Sequence, residues 1–381
     1  MPVIDFIYFD AGGGHRSAAN ALKAVIEQQN RPWTVRLVNL QEVLDSLDIF
    51  RKYTGVRLED VYNLMLAKGW TLGSAQGLRL MHGIIHLYHR PQVRMLTDHW
   101  TRTKPDMVVS LVPNFNRSMY EALQGVNPAT PYVTVITDMA DWPPHFWIER
   151  QPKQYIVCGT PKAVAQARAT GFDGDHIFAT SGMILRPKFY EPIESSRAEG
   201  RRKLGLDPEL PTGIVLFGGQ GSNVMVEIAE RLGRSGLKLQ LIMICGRNEK
   251  LASRLRGLNI GVPMHVEGFT SEVPAFMHLS DFLIGKPGPG SISEAIAMRL
   301  PVIVERNHFT LPQERYNCEW VLEHEVGVVL KNFRSVGEAV GKLIEPSVLR
   351  RYQANAASMT NRAVYEIPEA LSQILARQDI K

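Results

Sequence analysis

Short runs of β-branched and aromatic residues alternate along the chain with longer stretches of helical periodicity. Most of these runs are apolar throughout and do not alternate between apolar and polar residues. Strands of that kind are covered on both faces, as in a parallel sheet. The predicted strands are residues 3–9, 35–38, 107–111, 132–136 and 155–158 in the first half of the chain, and residues 213–217, 239–245, 264–266, 281–284 and 301–304 in the second.

A polar segment interrupts this pattern near the middle of the chain. It begins at residues 185–188 and continues through the charged stretch 194–203. It could be one long surface loop, but the fresh strand–helix alternation beyond it favours a domain boundary, which we place near residue 183. The alternation predicts two doubly wound α/β domains, residues 1–182 and 183–354, with a helical tail at about residues 347–378.

Length and charge are compatible with two such domains and a phosphate-bearing partner. The chain has 381 residues and a formal net charge of +5, which could also serve solubility alone. The N-terminus lacks the pattern of a signal peptide, and no apolar run approaches the roughly 20 residues that span a bilayer. We therefore expect any membrane contact to be peripheral. Nucleic-acid binding is a poor fit, because no basic stripe with interleaved aromatic residues is present.

The three cysteines are Cys158, Cys245 and Cys318, and their spacing shows no pairs. This disfavours a disulfide framework or a zinc site and fits a reducing, cytoplasmic environment.

Three consecutive glycines, Gly12, Gly13 and Gly14, follow the first predicted strand and precede His15 at the start of a helical stretch. Glycines allow close approach of a ligand, and a helix N-terminus favours anions. The spacing matches neither the dinucleotide fingerprint nor the Walker A loop. The alternative is a plain strand-to-helix turn, which needs fewer glycines and no histidine.

Two similar loops follow predicted strands of the second half and could bind phosphate through backbone amides. One contains Gly219, Gln220, Gly221 and Ser222. The other contains Lys286 and opens a helix, where Glu294 could accept hydrogen bonds from a ribose diol. Alternatively, Ser291 and Glu294 have the spacing of a capping box. The members of this second loop are Lys286, Gly288, Pro289, Gly290, Ser291 and Glu294.

Gln313, Glu314 and Asn317 follow the strand predicted at residues 301–304. Adjacent donors and acceptors of this kind suit sugar hydroxyls. The alternative is an exposed helix start.

These motifs together resemble glycosyltransferase family 28. Within that family they most resemble the monogalactosyldiacylglycerol synthases and the processive diacylglycerol glycosyltransferases. This resemblance covers nearly the whole chain. The chain resembles the peptidoglycan N-acetylglucosaminyltransferase more distantly. One departure is residues 142–145, where the galactolipid enzymes carry a Cys-His; a second is the glycine loop at residues 218–222. The resembling motifs, in order, are Gly12 to His15; Thr137 and Asp138 with Pro144 and Trp147; residues 244–248; Lys286 to Glu294; and Gln313 to Asn317.

The resemblance implies the GT-B architecture, in which two Rossmann-like, doubly wound domains face each other across a cleft. It implies a UDP-sugar donor held mainly by the second domain, an inverting transfer, no cofactor and no essential metal. It also implies a C-terminal helix, about residues 355–381, that crosses back to the first domain. Gly246 and Arg247, with Gly268 and Phe269 after the strand at 264–266, join the loops above in the predicted nucleotide site.

Sugar transfer leaves negative charge on the departing diphosphate, which backbone amides and Lys286 could stabilise. The acceptor hydroxyl loses a proton, which His15 could take as a general base; alternatively, His15 only binds phosphate or caps the turn. Asp138 could orient the base or bind the acceptor, and Asp141 competes for that role. The resemblance implies a hexosyltransferase that moves galactose or glucose from UDP to a lipid such as diacylglycerol. The alternatives are a UDP-sugar epimerase of the same fold and a non-catalytic UDP-sugar or lipid-binding protein.

Residues 68–100 mix apolar, aromatic and basic side chains in a way that suits docking on anionic headgroups. The chemistry predicts peripheral association with the inner face of the cytoplasmic membrane. The alternative is a pair of core helices.

Overall fold

The computed structural model describes residues 1–10, 13–45, 85 and 87–378. These residues form two compact units. The first unit contains the described residues up to Pro187 together with those from Asn361 onward, and the second unit is Lys188–Thr360. The observed division thus follows Pro187, close to the boundary placed near residue 183.

The first unit is built on a parallel sheet of six strands in the order β2-β1-β3-β4-β5-β6. The strands between the two edges are buried on both faces, as their apolar runs predicted. The strands are β1 (Val3–Tyr8), β2 (Thr34–Asn39), β3 (Met107–Ser110), β4 (Tyr132–Val135), β5 (Gln154–Cys158) and β6 (Ile177–Ala179).

Helices cover this sheet with their apolar stripes. In the first helix the buried residues include Leu22, Val25 and Ile26, which lie on one face at helical spacing. The helices before the boundary are α1 (Gly14–Gln28), α2 (Leu40–Val43), α3 (His89–Thr103), α4 (Asn116–Val126) and α5 (Pro161–Ala169), with a short 3₁₀ helix at Gly174–His176 and another at Pro187–Tyr190 that lies across the boundary.

The second unit repeats the design with six parallel strands in the order β12-β11-β10-β7-β8-β9. The strands are β7 (Thr212–Leu216), β8 (Gln240–Ile244), β9 (Met264–Glu267), β10 (Phe282–Gly285), β11 (Val302–Glu305) and β12 (Gly327–Leu330). The helices are α6 (Arg197–Lys203), α7 (Val224–Gly233), α8 (Glu249–Arg256), α9 (Val273–His278), α10 (Pro289–Ala297), α11 (Arg315–Glu323), α12 (Val336–Leu343) and α13 (Pro346–Ser358), with 3₁₀ helices at Pro312–Glu314 and Phe333–Ser335.

Each sheet has a topological switch point, where the chain stops adding strands on one side and continues on the other. The switch lies between β1 and β3 in the first unit and between β7 and β10 in the second. Ligands of doubly wound sheets bind beyond the carboxyl ends of the strands at such points. The glycine-rich segments that follow β1, β7 and β10 therefore lie where this rule expects a site.

All ten predicted strands are present, and their ends differ from the prediction by a single residue. The prediction missed β6 and β12, which lie at sheet edges. Strand β6 is an apolar run of only three residues, Ile177–Ala179, so its signal is weak.

The tail is two helices and not one continuous helix. After α13 the chain resumes helical structure at α14 (Ala363–Ala376), so the predicted helix starting near residue 355 was wrong in its bounds. The Nδ2 of Asn361 donates to the Met183 carbonyl at 2.9 Å and fixes this break. Helix α14 belongs to the first unit and packs on α1. Arg31, which follows the end of α1, hydrogen-bonds Ser372 of α14 at 2.7 Å and pairs with Glu369.

The stretch considered for membrane docking is only partly described, since residues 68–84 and 86 lie outside the described residues. Its described end contributes to α3, where Leu96 and Trp100 are buried in the core of the first unit. For these two residues the alternative of a core helix is confirmed, whereas Leu87 is exposed. Within the described ranges, no helix is both long enough and apolar enough to cross a bilayer.

Candidate functional site

The loops that follow β7 and β8 interlock at the carboxyl edge of the second sheet. The Arg247 amide donates to the Gly219 carbonyl at 2.9 Å, and the Asn248 side chain donates to the Gln220 carbonyl at 3.3 Å. Gly246 has a φ of 59°, and a Cβ at this position would overlap the Gly219 carbonyl oxygen. The two loops can approach only because residue 246 is glycine.

An ion pair between a partly exposed lysine and a buried glutamate brings the loop after β10 to the segment after β11. Lys286 Nζ lies 3.2 Å from Glu314 Oε1, and Glu314 is buried. A Cβ on Gly218 would lie 3.8 Å from Lys286 Cε, so the same lysine also lies beside the loop after β7. Lys286 is therefore held in place by Glu314, which contrasts with the solvated lysine of a plain surface loop.

Helix α10 begins without a side-chain cap. Its N-cap is Gly288 and its first residue is Pro289; among the described residues no side chain hydrogen-bonds at the cap. The capping-box interpretation of Ser291 and Glu294 was wrong, because proline at the first position starts the helix earlier and places both residues inside it. The amides of Gly290 and Ser291 thus remain available to an anion at the positive end of the helix dipole.

Two side-chain oxygens near this helix are buried without hydrogen-bond partners in the described part of the chain. They are Gln313 Oε1 and Asn317 Oδ1. The Nδ2 of Asn317 donates to the Pro287 carbonyl at 2.7 Å, which joins α11 to the loop after β10. Asn317 and Glu314 are buried, so the alternative of an exposed helix start is wrong. A buried acceptor left unsatisfied costs about 1–3 kcal/mol, which a ligand hydroxyl can offset.

Phe269 and Arg247 meet at the same edge of the sheet. The Arg247 guanidinium lies 4.9 Å from the centre of the Phe269 ring, a cation–π distance. The ring is 62% exposed. A Cβ on Gly268 would lie 3.3 Å from Glu249 Oε1. The predicted residues of the second unit all follow the carboxyl ends of β7 to β11 in one parallel sheet. They are Gly219, Gln220, Gly221, Ser222, Gly246, Arg247, Gly268, Phe269, Lys286, Gly288, Pro289, Gly290, Ser291, Glu294, Gln313, Glu314 and Asn317.

In the first unit, His15 lies in the first turn of α1 beside the ends of β3 and β4. Its Nδ1 is 3.2 Å from Thr137 Oγ1, and its ring centre is 5.9 Å from that of Trp147. Burial lowers the pKa of His15 to about 4, while a hydrogen bond to the Leu111 backbone acts in the opposite direction. His15 is therefore neutral at pH 7. The N-cap is Gly13, whose φ is 79°; Gly14 starts the helix and Gly12 lies outside the described residues.

The loop after β4 is organised around Trp147. Its Nε1 donates to Asp138 Oδ2 at 2.8 Å, and its backbone amide donates to Asp141 Oδ1 at 2.6 Å. Its carbonyl accepts from Asn116 Nδ2 at 3.1 Å. Asp141 Oδ2 also accepts from the His145 amide at 2.9 Å, so Asp141 stabilises the loop backbone instead of competing with Asp138.

Two contributions were not predicted from the sequence. Thr137 was identified only as part of a motif, although its hydroxyl is the partner of His15. Asn116 was not identified at all, and it is fully buried with its Oδ1 accepting from Tyr132 at 2.8 Å. A polar residue in the first turn of a buried helix is the only signal the sequence offers for Asn116. Across the described ranges, no group of three His, Cys, Asp or Glu side chains is arranged to hold a metal ion.

Residues 213–372 match the family model described as the glycosyltransferase family 28 C-terminal domain. The chain is 28% identical over 388 residues to the probable monogalactosyldiacylglycerol synthase 2, chloroplastic, of Oryza sativa subsp. japonica, an alignment that covers 96% of this chain and 79% of the relative. It is 26% identical over 390 residues to the monogalactosyldiacylglycerol synthase 1, chloroplastic, of Arabidopsis thaliana, covering 97% and 70%. These matches confirm the resemblance inferred from the motifs.

Solved structures share the fold at low identity. The S. aureus MnaA-UDP co-structure matches with a TM-score of 0.63 at 16% identity and covers 100% of this chain and 98% of that one. Acinetobacter baumannii MurG matches with a TM-score of 0.62 at 11% identity, covering 98% and 100%. A UDP-N-acetylglucosamine 2-epimerase matches with a TM-score of 0.61 at 14% identity, covering 100% and 97%. The predicted GT-B fold class is therefore confirmed. Residues 213–372 match the glycosyltransferase family 28 C-terminal domain and the whole chain is similar to monogalactosyldiacylglycerol synthases, so the protein is a glycosyltransferase.

Proposed function

We propose that the protein transfers a hexose from UDP-galactose or UDP-glucose to a lipid acceptor such as diacylglycerol, with inversion at the anomeric carbon. The observation that carries this proposal is the pair of buried, unsatisfied oxygens of Gln313 and Asn317 beside the uncapped start of α10. Acceptors for sugar hydroxyls and amides for phosphate occur together at one edge of the second sheet. The monogalactosyldiacylglycerol synthase relatives support the lipid acceptor.

In the proposed donor complex the diphosphate lies at the amides of Gly290 and Ser291 and beside the loop at residues 218–222. Lys286, held by Glu314, adds a positive charge there. The carboxylate of Glu294 accepts hydrogen bonds from the ribose diol. The exposed face of Phe269, supported by Arg247, offers a flat apolar surface at the same edge.

The chemistry requires one proton transfer and one displacement. The acceptor oxygen bonds to the anomeric carbon as the bond from that carbon to the diphosphate breaks. The electron pair leaves with UDP, whose charge the amides and Lys286 stabilise. The hydroxyl proton passes to His15, which is neutral at pH 7 and so able to accept it. The proposal includes no cofactor and no essential metal, because backbone amides and Lys286 supply the positive charge.

The lipid acceptor places the reaction at a membrane surface. We propose peripheral association with the inner face of the cytoplasmic membrane. Trp142, which is 45% exposed, follows Asp141 in the loop that also holds Trp147. An exposed indole on this loop is suited to the bilayer interface, where amphipathic aromatic rings accumulate.

The test is product identification. The purified protein is incubated with UDP-galactose, UDP-glucose or UDP-N-acetylglucosamine and with vesicles that contain diacylglycerol, and the lipids are analysed by mass spectrometry. A hexosyl-diacylglycerol formed with stoichiometric release of UDP is the expected result.

The fold likeness to a UDP-N-acetylglucosamine 2-epimerase favours a second candidate, an epimerase. Conversion of the UDP-sugar to its epimer without any lipid would support that candidate. If neither the glycolipid nor the epimer is formed, the protein is a binding protein.

A further inference from the structure

The base proposed for the reaction needs a partner that fixes its tautomer. A neutral imidazole carries one N–H and one lone pair, and the hydrogen bond made by one ring nitrogen decides which nitrogen can accept a proton. In many sites a carboxylate fills this role. For His15 the sequence indicated Asp138, and the structure shows a different arrangement.

Two consecutive residues after β4 divide the tasks between them. Thr137 Oγ1 lies 3.2 Å from His15 Nδ1. The carboxylate of Asp138 accepts from Trp147 Nε1 at 2.8 Å. The indole ring of Trp147 also forms the wall beside the His15 ring, at a centre distance of 5.9 Å. His15 Nδ1 is therefore bonded to a hydroxyl, and the neighbouring carboxylate is bonded to the indole.

We propose that Thr137 is a positioning residue whose Oγ1 accepts the hydrogen bond from His15 Nδ1–H, so that Nε2 carries the lone pair that takes the acceptor proton. This inference rests on the base role of His15 in the proposed function. When the proton reaches Nε2, the Nδ1–H bond to Thr137 is unchanged, because the hydroxyl accepts in both protonation states. A hydroxyl that donated to Nδ1 would instead leave Nε2 protonated and unable to act.

A neutral partner also differs from a carboxylate in its effect on the ring. The Leu111 backbone carbonyl also accepts a hydrogen bond from the His15 ring. Neither this carbonyl nor Thr137 brings a negative charge to His15, which agrees with the low pKa of about 4 that burial imposes. The nearby charges are engaged elsewhere: Asp138 bonds Trp147, and Arg16 pairs with Asp10 at 2.8 Å. The arrangement therefore favours a neutral imidazole oriented for proton transfer over a pre-formed imidazolium.

The first experiment measures the tautomer directly in the resting protein. Selective ¹⁵N-histidine labelling, with His15→Gln to assign the signal, shows which ring nitrogen of His15 carries the proton at pH 7. We expect a protonated Nδ1 in the wild type and a mixture of tautomers in Thr137→Val. A protonated Nε2 in the wild type would overturn the proposal, and this readout does not depend on any activity.

The second experiment uses kinetics on diacylglycerol vesicles. Thr137→Val removes the hydroxyl at nearly constant volume and is expected to lower kcat about tenfold or more, with the KM for the UDP-sugar unchanged. Thr137→Ser restores the hydroxyl and is expected to retain most of the activity. Thr137→Asp places a carboxylate beside Nδ1 and is expected to move the acidic limb of the kcat/KM profile to higher pH.

The outcomes separate this inference from the proposed function. If Thr137→Val and Thr137→Ser lose activity equally, or if Thr137→Val lowers the rate further in a His15→Ala background, the threonine does not act through the histidine. If the wild type makes no glycolipid at all, the proposed function fails, and the tautomer measurement still decides whether Thr137 orients His15. Equal melting temperatures of the Val and Ser variants serve as the folding control.

Discussion

Lys286 Nζ lies 3.2 Å from Glu314 Oε1, and this pair joins the segments that follow β10 and β11. The carboxylate is buried whereas the lysine is partly exposed. Lys286 can therefore face a ligand while Glu314 fixes its position. Lys286 compensates the charge of Glu314. A buried carboxylate that loses its charged partner destabilises the folded protein.

We predict that Lys286 contributes to donor binding, whereas the loss of stability in its absence comes from the unpaired Glu314. Lys286→Met should raise the KM for the UDP-sugar about tenfold or more and also lower the melting temperature, since Glu314 is left buried and uncompensated. Adding Glu314→Gln should restore much of the melting temperature but not the KM. Steady-state kinetics and thermal unfolding of both single variants and the double variant measure this. A double variant that recovers donor affinity would contradict a direct role of Lys286.

Gly246 should be intolerant of alanine for a steric reason that can be isolated. A Cβ there would overlap the Gly219 carbonyl oxygen, and the φ of 59° adds strain. Gly205 is the matched control, because its φ is 74° and nothing lies within 4 Å of its added Cβ. Gly205→Ala should cost about 1 kcal/mol from backbone strain alone, and Gly246→Ala should cost more and weaken UDP binding. Urea unfolding and UDP titration give the comparison; equal costs would mean that the loops after β7 and β8 are not tightly joined.

The sequence predicted the strands well because most of those in the sheet interior are short, largely apolar runs. Such a run has few alternatives once helices flank it. The edge strand β6 lacked this signal because its apolar run is only three residues long. The alternative of a capping box at Ser291 and Glu294 was wrong because it rested on spacing alone and did not take account of Pro289, which fixes the first helical residue of α10.

Within the site, the glycine-rich loops were predictable because their position after a strand and before a helix is encoded locally. The partners of individual side chains were not. Thr137 and His15 are separated by 122 positions in the chain, and only the adjacency of β1, β3 and β4 in the sheet brings them together. The same holds for Lys286 and Glu314. A motif therefore indicates which residues approach a ligand, whereas the sheet order decides which of them contact each other.

Gln313 should show a conflict between stability and donor binding. Its Oε1 is buried and lacks a hydrogen-bond partner in the described chain, so Gln313→Met removes a cost and keeps the volume. We expect an unchanged or higher melting temperature of the free protein together with a KM for the UDP-sugar raised about tenfold. Affinity for UDP alone should be unchanged, since the oxygen is assigned to the sugar. Gln373→Met on the exposed surface of α14 is the control for the substitution itself. If the variant loses affinity for UDP and for the UDP-sugar equally, Gln313 Oε1 does not contact the sugar.

The low pKa of His15 predicts a specific pH dependence of stability. The pKa is about 4 in the folded protein and close to 6.5 in the unfolded chain, so below pH 6.5 the unfolded state binds a proton that the folded state does not. The stability contributed by the neutral ring is complete above pH 6.5 and is lost as the pH falls towards 4.

Comparison with His15→Gln isolates this contribution, because all other titrating groups are shared by the two proteins. The free energy of unfolding of the wild type minus that of His15→Gln should decrease between pH 7 and pH 4 and become constant below pH 4. Urea unfolding at several pH values measures the difference. A difference that is independent of pH would show that His15 titrates normally in the folded protein, and the acidic limb of the activity profile would then be expected near pH 6.5 rather than near pH 4.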